Sequence, residues 1–298
     1  MNPLRAIIAA TDFSASARHA AQRAALLAQA SGGALTLTHT VGGSALEDLR
    51  RWLADDNQSC SVIEADARQR LQELAAELGR SHGVNVDTHL SIGNPVEQVV
   101  RHADDVDAGL LVTGTRGAGF FHGVAFGSTA ERIAKRSSRP VLMVRQLPHE
   151  PYRRILVPVD FSEWSHSAIE LARQIAPEAS LVLMHAVELP FEGKMRTAGV
   201  AEDTVMRYRD TARREAQQRL RGLAVDAGLD TERVRLSTPC GADPWMLIVQ
   251  EEQEQDCDLV VIGRQGRHAL DEFLLGSTTR MVVADGAADV LISSRQTR

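Results

Sequence analysis

The sequence predicts an α/β protein of two tandem domains, each built on a parallel sheet with helices on both faces. The first indication is a repeated motif, in which a Gly-x-x-Gly pair, nine residues and Gly-Ser-Thr begin at Gly114 and again at Gly263. The second is the alternation of strands with helices, which is typical of βαβ units and a parallel sheet. A chain of 298 residues also accommodates two domains of ordinary size.

The first predicted strand of each copy ends in Asp-Phe-Ser, at Asp12 in copy one and at Asp160 in copy two. An alanine-rich amphipathic stretch follows at 15–31 and 163–176, and its spacing predicts a helix. Serine is a favoured helix N-cap, so we expect the serine of each motif to cap this helix.

The second strand, at 34–39 or 180–185, ends in a histidine in both copies. The polar stretches 64–82 and 202–227 predict helices, and their dense charge of both signs is typical of a solvated face. A glycine and a proline then mark the start of a further helix after the third strand. In copy one the last three strands are predicted at 85–90, 110–113 and 140–144. In copy two they are predicted at 233–237, 259–262 and 289–292.

The linker at 146–151 contains two prolines and is predicted to be a stiff spacer. We therefore expect one domain at 1–146 and a second at 152–298, packed against each other.

Composition excludes several classes of partner. The net charge of −6 without a polybasic run argues against nucleic acid, and no stretch approaches the 20 or so apolar residues of a membrane span. The N-terminal segment lacks the pattern of a signal peptide. Three widely spaced cysteines form no Cys-x-x-Cys pair, which indicates reduced thiols and a cytoplasmic protein.

The polar residues that follow the first and fourth strands are expected to share one crevice in each copy, because ligands of open parallel sheets bind beyond the carboxyl ends of the strands. The glycines permit tight turns, and a helix that begins with Gly-Ser-Thr can bind phosphate oxygens. The aspartates could accept from a base amine or a ribose hydroxyl or hold Mg²⁺, and the arginines could neutralise phosphate. The candidate ligand-binding residues are Asp12, His39, Gly114, Arg116, Gly117, Gly127, Ser128 and Thr129 in copy one, and Asp160, His185, Gly263, Arg264, Gly266, Gly276, Ser277 and Thr278 in copy two.

These motifs together resemble two fused universal stress protein domains that cover essentially the whole chain. The resemblance rests on the Gly-x-x-Gly-x9-Gly-Ser pattern, the Asp-Phe-Ser opening, the strand that ends in histidine and the glycine–proline helix start. It implies five parallel strands in the order 3-2-1-4-5 and an adenine-nucleotide site, usually for ATP with Mg²⁺. It also implies a dimer paired through the fifth strands, which a tandem chain could form internally, with a further homodimer as an additional expectation.

The expected function is that of an ATP-binding stress-response protein that acts as a sensor or regulator. Copy one is expected to be the better site, because Asp271 and Glu272 of copy two lie in the loop that would face the phosphates. No residue pattern predicts a catalytic group or a metal-ligand set.

Other interpretations remain open at this stage. The same crevice could support a slow ATPase or phosphotransferase, with Asp12 or Asp160 orienting water or an acceptor hydroxyl. It could also be a nucleotide-free scaffold or a lipid or metal carrier. The glycines could form only a tight turn, the aspartates could cap backbone at a turn, and His39 and His185 could be packed structural residues.

Overall fold

The computed structural model describes residues 4–43, 57–115, 127–230, 234–265 and 275–294. The chain divides into two compact units, Met1–Pro151 and Tyr152–Arg298.

Unit one contains a five-stranded parallel sheet in the order β3-β2-β1-β4-β5. This confirms the predicted strand order of copy one. Its described elements are β1 (Ala6–Ala10), α1 (Ala15–Ser31), β2 (Ala34–Gly42), α2 (Asn57–His82), β3 (Val86–Gly93), α3 (Pro95–Asp105), β4 (Leu110–Gly114), α4 (Ser128–Arg136) and β5 (Val141–Val144).

Unit two repeats this topology in the parallel order β8-β7-β6-β9-β10. A short helix, α6, precedes the long helix α7. The described elements are β6 (Arg154–Pro158), α5 (Glu163–Ile175), β7 (Ser180–Met184), α6 (Glu192–Thr197), α7 (Glu202–Asp226), β8 (Val234–Ser237), α8 (Pro244–Glu254), β9 (Leu259–Gly263), α9 (Ser277–Asp285) and β10 (Asp289–Ser293).

The central strands are buried, which explains their uninterrupted apolar sequences. Ile7, Ile8 and Ala9 of β1 are at most 1% exposed, and Leu259–Ile262 of β9 is likewise buried. Helix α1 covers β1 and β4 with buried alanines, including Ala20 and Ala24. Because alanine is small, the helix backbone lies close to the strands.

The serine caps of the first helices differ between the two units. Ser14 caps α1 as predicted, because its Oγ accepts from the Ala17 backbone N–H at 3.2 Å. The prediction is wrong for Ser162, whose Oγ instead donates to Oδ1 of Asp160 at 2.6 Å. A carboxylate forms a stronger, charge-assisted hydrogen bond, so it competes successfully for the hydroxyl.

Asp289 occupies the start of β10, where copy one has Pro140. Its Oδ2 accepts a hydrogen bond of 2.6 Å from the Tyr152 hydroxyl, and both residues are almost completely buried. A buried carboxylate requires such a partner, and the bond fixes the first residues of unit two to its last strand.

Across the described ranges, every helix is either too short or too polar to span a bilayer.

Two histidines of unit one form a parallel stack between β3 and α3. The rings of His89 and His102 lie 3.8 Å apart between centroids, with an interplanar angle of 5°. Burial lowers the pKa of His102 from its ordinary value of 6.5, the positive charge of His89 lowers it further, and Asp105 opposes the shift. Protonation of this ring is therefore less favourable in the folded than in the unfolded chain.

We predict that unit one loses stability as the pH falls below about 6.5, since the unfolded chain then binds the proton that folded His102 resists. Denaturant unfolding monitored by hydrogen exchange in α3 at pH 8 and pH 5 measures this loss. His102→Gln should reduce the pH dependence, whereas His166→Gln, an exposed position outside the stack, should retain it. An unchanged pH dependence in His102→Gln contradicts the assignment.

Candidate functional site

A cavity of about 760 Å³ opens at the carboxyl ends of β6, β7 and β9 in unit two. This volume lies within the range of pockets that hold small-molecule ligands. The cavity brings together six of the eight residues predicted for copy two: Asp160, His185, Gly263, Gly276, Ser277 and Thr278.

The position of the cavity follows from the strand order. β6 pairs with β7 on one side and with β9 on the other. The connections leaving β6 and β9 therefore run in opposite directions, which opens a crevice at this point of a doubly wound sheet. Asp160 lies at its centre, with His185 on the β7 side and Gly263 on the β9 side.

The Asp-Phe-Ser turn has the same unusual backbone in both units. Phe13 and Phe161 have φ values of 65° and 62°, a left-handed conformation that is rare for a bulky residue and costs about 1–2 kcal/mol. The aspartates support the turn, because Oδ1 of Asp12 and Oδ1 of Asp160 each accept from the serine N–H two residues later at 3.0 Å. The turn role considered for the aspartates is therefore present in both copies.

Asp160 accepts further hydrogen bonds besides that of the turn. Its Oδ1 also accepts from the hydroxyls of Ser162 at 2.6 Å and Ser165 at 3.0 Å. These bonds fix the carboxylate in the cavity wall.

The two predicted histidines make equivalent hydrogen bonds. Nδ1 of His39 lies 2.7 Å from the carbonyl oxygen of Thr11, and Nδ1 of His185 lies 2.8 Å from that of Val159. A carbonyl oxygen only accepts, so Nδ1 carries the proton in both rings. In the neutral ring, Nε2 is then the acceptor nitrogen.

The strand-end glycines allow the first helix to approach the fourth strand. A Cβ on Gly114 would lie 2.8 Å from the backbone carbonyl of Ser16 in α1, and one on Gly263 would lie 2.9 Å from Cβ of Trp164 in α5. At Gly276 the nearest atom would be 3.4 Å away, an ordinary contact. The first glycine of each motif therefore makes room for a helix, whereas the sequence analysis gave it the role of a tight turn in the ligand site.

The glycine at the end of each motif begins a helix. Gly127 precedes α4 and Gly276 precedes α9. Because glycine has no side chain, no side chain at the N-cap position accepts from the first-turn N–H groups of either helix. In unit two the start of α9 is fastened to β9, because the Thr279 hydroxyl donates to the Gly263 carbonyl oxygen at 2.9 Å. The first-turn N–H groups of such a helix favour an anion.

Of the predicted arginines and the second glycine of each motif, only Arg264 lies among the described residues. Arg264 is 9% exposed and does not line the cavity, whereas its neighbour Gln265 does. Burial lowers the pKa of Arg264. Arg116, Gly117 and Gly266 lie outside the described residues.

Sequence reasoning missed the contribution of the long helix α7. Ala212, Glu215, Ala216 and Arg219 line the cavity, although this helix was predicted to present a solvated face. Trp164 of α5 also lines it. The repeat could have indicated Arg219 as a site residue, because it lies 149 positions after Arg70, the same offset that separates the two glycine motifs.

Unit one has the same arrangement of its described site residues. Asp12, Phe13 and His39 reproduce the turn and the histidine contact, and Ser128 and Thr129 begin α4. Positions that differ include Ser16 in place of Trp164, Ala17 in place of Ser165 and Ala130 in place of Thr279. Whether copy one is the better site stays a prediction, since the loops 116–126 and 266–274 lie outside the described residues.

Fold and site together define a tandem doubly wound α/β protein with a crevice at the switch point of the sheet. The sequence profile of the universal stress protein family matches residues 3–145 and 151–294. The chain therefore belongs to the universal stress protein family.

Individual relatives agree over different lengths of the chain. A universal stress protein of Mycolicibacterium smegmatis is 27% identical over 304 residues, covering 96% of both chains. The stress response protein NhaX of Bacillus subtilis is 32% identical over 81 residues, which is 27% of this chain and 44% of that protein. The crystal structure of a universal stress protein from Archaeoglobus fulgidus shares the fold, with a TM-score of 0.71 and 18% identity over 98% of this chain and 99% of the other.

We predict that Gly114→Ala and Gly263→Ala each destabilise their unit by about 1–3 kcal/mol, because the added methyl group displaces the first helix. Thermal unfolding by calorimetry measures the loss. Gly222→Ala in α7 is the matched control, since its Cβ would meet nothing within 4 Å and alanine favours a helix. Equal stability of the three variants contradicts the packing role.

Proposed function

We propose that this universal stress protein binds ATP with Mg²⁺ in the crevice of each unit and acts as a nucleotide-dependent sensor or regulator. The observation that carries the proposal is the cavity of unit two, which joins Asp160, His185 and the start of α9 in one space of about 760 Å³.

The phosphates are assigned to the β9–α9 end of the cavity. Ser277 and Thr278 line it there, in the first turn of a helix without a side-chain cap. Backbone N–H groups and the positive end of the helix dipole attract phosphate oxygens at such a position. The same assignment in unit one places phosphate at Ser128 and Thr129.

The rest of the nucleotide would then lie across β6 towards β7. Asp160 in the middle of the wall can accept from a ribose hydroxyl. Beyond it the wall includes the apolar side chains of Val187, Ala216 and Ile248, against which a planar base can pack.

The charge of the cavity wall explains why Mg²⁺ is part of the proposal. Its described carboxylates are those of Asp160, Glu188 and Glu215, against the guanidinium of Arg219. A bare triphosphate would be repelled. Mg²⁺ bound to the phosphates offsets this repulsion, and it commonly keeps water ligands and takes only one or two carboxylates from the protein.

A cytoplasmic location is also part of the proposal. Cys240 and Cys257 are both unbridged, as is usual in a reducing compartment. Burial raises the pKa of the Cys257 thiol to about 12, so this thiol stays protonated near neutral pH. Pairing of the two units within the chain, and a homodimer beyond it, stay predictions.

Ser277→Asp is predicted to weaken binding of MgATP to unit two by at least about tenfold, because the new carboxylate occupies the anion site. Isothermal titration calorimetry measures the affinity, and the same change at Ser128 tests unit one. Folding stability should not fall, since an acidic residue in the first turn of a helix is favourable.

Thr204→Asp is the matched control, because it adds the same charge to the first turn of α7, outside the cavity lining. The proposal fails if the unmodified protein neither releases heat with MgATP nor carries nucleotide after purification. Unchanged affinity in Ser277→Asp would place the phosphates elsewhere.

A further inference from the structure

The long helices α2 and α7 carry equivalent pairs of an acidic residue and an arginine. Asp66 and Arg70 in α2, and Glu215 and Arg219 in α7, are each four positions and thus about one helical turn apart. The corresponding residues of the two pairs are separated by 149 positions, the offset of the glycine motifs.

Each arginine rests on the phenylalanine of the strained turn. Cζ of Arg70 lies 4.3 Å from the centroid of the Phe13 ring, and Cζ of Arg219 lies 4.0 Å from that of Phe161. Cation–π attraction favours this geometry.

A third layer completes the arrangement in both units. The phenylalanine ring tilts against the predicted histidine, with centroids 4.4 Å apart for Phe13 and His39 and 4.5 Å apart for Phe161 and His185. The arginine, the turn beside the aspartate and the histidine therefore form one contiguous stack in each unit.

In unit two this stack lies at the wall of the cavity. Glu215 and Arg219 line it from one face of α7, together with Ala212 and Ala216. The alanines leave space along the helix, while the arginine is exposed at the mouth.

The arginine is placed on the side away from the phosphate site. β7 and β9 flank β6 on opposite sides, and α9 follows β9 whereas α7 follows β7. A nucleotide with its phosphates at α9 therefore extends its base towards α7. A guanidinium at that end meets a planar ring.

We propose that Arg219, and Arg70 in unit one, bind the base end of the nucleotide by stacking the guanidinium plane on the purine and closing the mouth. This inference rests on the proposed function. In unit one the guanidinium has an acidic neighbour in the preceding turn, because Oδ2 of Asp66 lies 3.9 Å from a terminal nitrogen of Arg70.

Adenosine, AMP and MgATP distinguish the two ends of the nucleotide. We expect Arg70→Ala/Arg219→Ala to weaken all three by the same factor, about 5- to 30-fold, as measured by calorimetry, because all three carry the base. A loss that grows with the number of phosphates and spares adenosine would show that the arginines serve the phosphates, and would overturn the assignment.

Arg219→Lys separates stacking from charge, because lysine keeps the charge without the planar group. We expect this variant to bind as weakly as Arg219→Ala, and full recovery of affinity would overturn the stacking role. Arg221→Ala, an exposed arginine of α7 outside the cavity lining, is the matched control and should bind like the unmodified protein.

Trp164 supplies a signal specific to unit two, since it lines that cavity and unit one has Ser16 instead. Ligand-induced fluorescence change that is lost in Trp164→Phe reports this site. If the unmodified protein binds none of the three ligands, both proposals fail. If it binds them and the Arg219→Ala variant shows the same affinity by this fluorescence change, only the arginine assignment fails.

Discussion

The closeness of the first helix to the end of the fourth strand is the constraint on which each unit depends. That helix can lie against the strand only because Gly114 and Gly263 leave the space that Ser16 and Trp164 occupy. The contact holds the Asp-Phe-Ser turn beside the end of the fourth strand, because the turn leads directly into the helix. The strand order opens the crevice, and this helix packing sets the position of the turn in its wall.

The strained phenylalanine connects the turn to the long helix at the mouth of the crevice. A left-handed backbone at Phe13 or Phe161 is unfavourable by itself, and strain of this kind persists only where the surroundings enforce it. Here the aspartate accepts the serine N–H, while histidine and arginine pack against the ring. One turn therefore links β6, β7 and α7 in unit two.

The succession of strands and helices and the crevice could be predicted from the sequence, because they depend on periodicity, glycine spacing and an internal repeat. The strand order was expected only from the resemblance to a known family. The capping role of Ser162 could not, since Asp160 competes for its hydroxyl only once the turn is formed. Arg264 also could not be placed, because its burial depends on tertiary packing. Glu215 and Arg219 were missed because a charged helical face has the same residue pattern whether it faces solvent or a cavity mouth. Only the repeat offset marks these two residues, since it pairs them with Asp66 and Arg70.

In the proposed complex, a nucleotide lies across Asp160 from the start of α9 towards α7. A crystal structure of the full chain with MgATP would locate both ends of the nucleotide. We expect phosphate density at the N–H groups of Ser277 and Thr278, with the base between Arg219 and the apolar side chains of the wall. Density with the base at α9 and the phosphates at Arg219, or a cavity that stays empty at saturating MgATP, would contradict it.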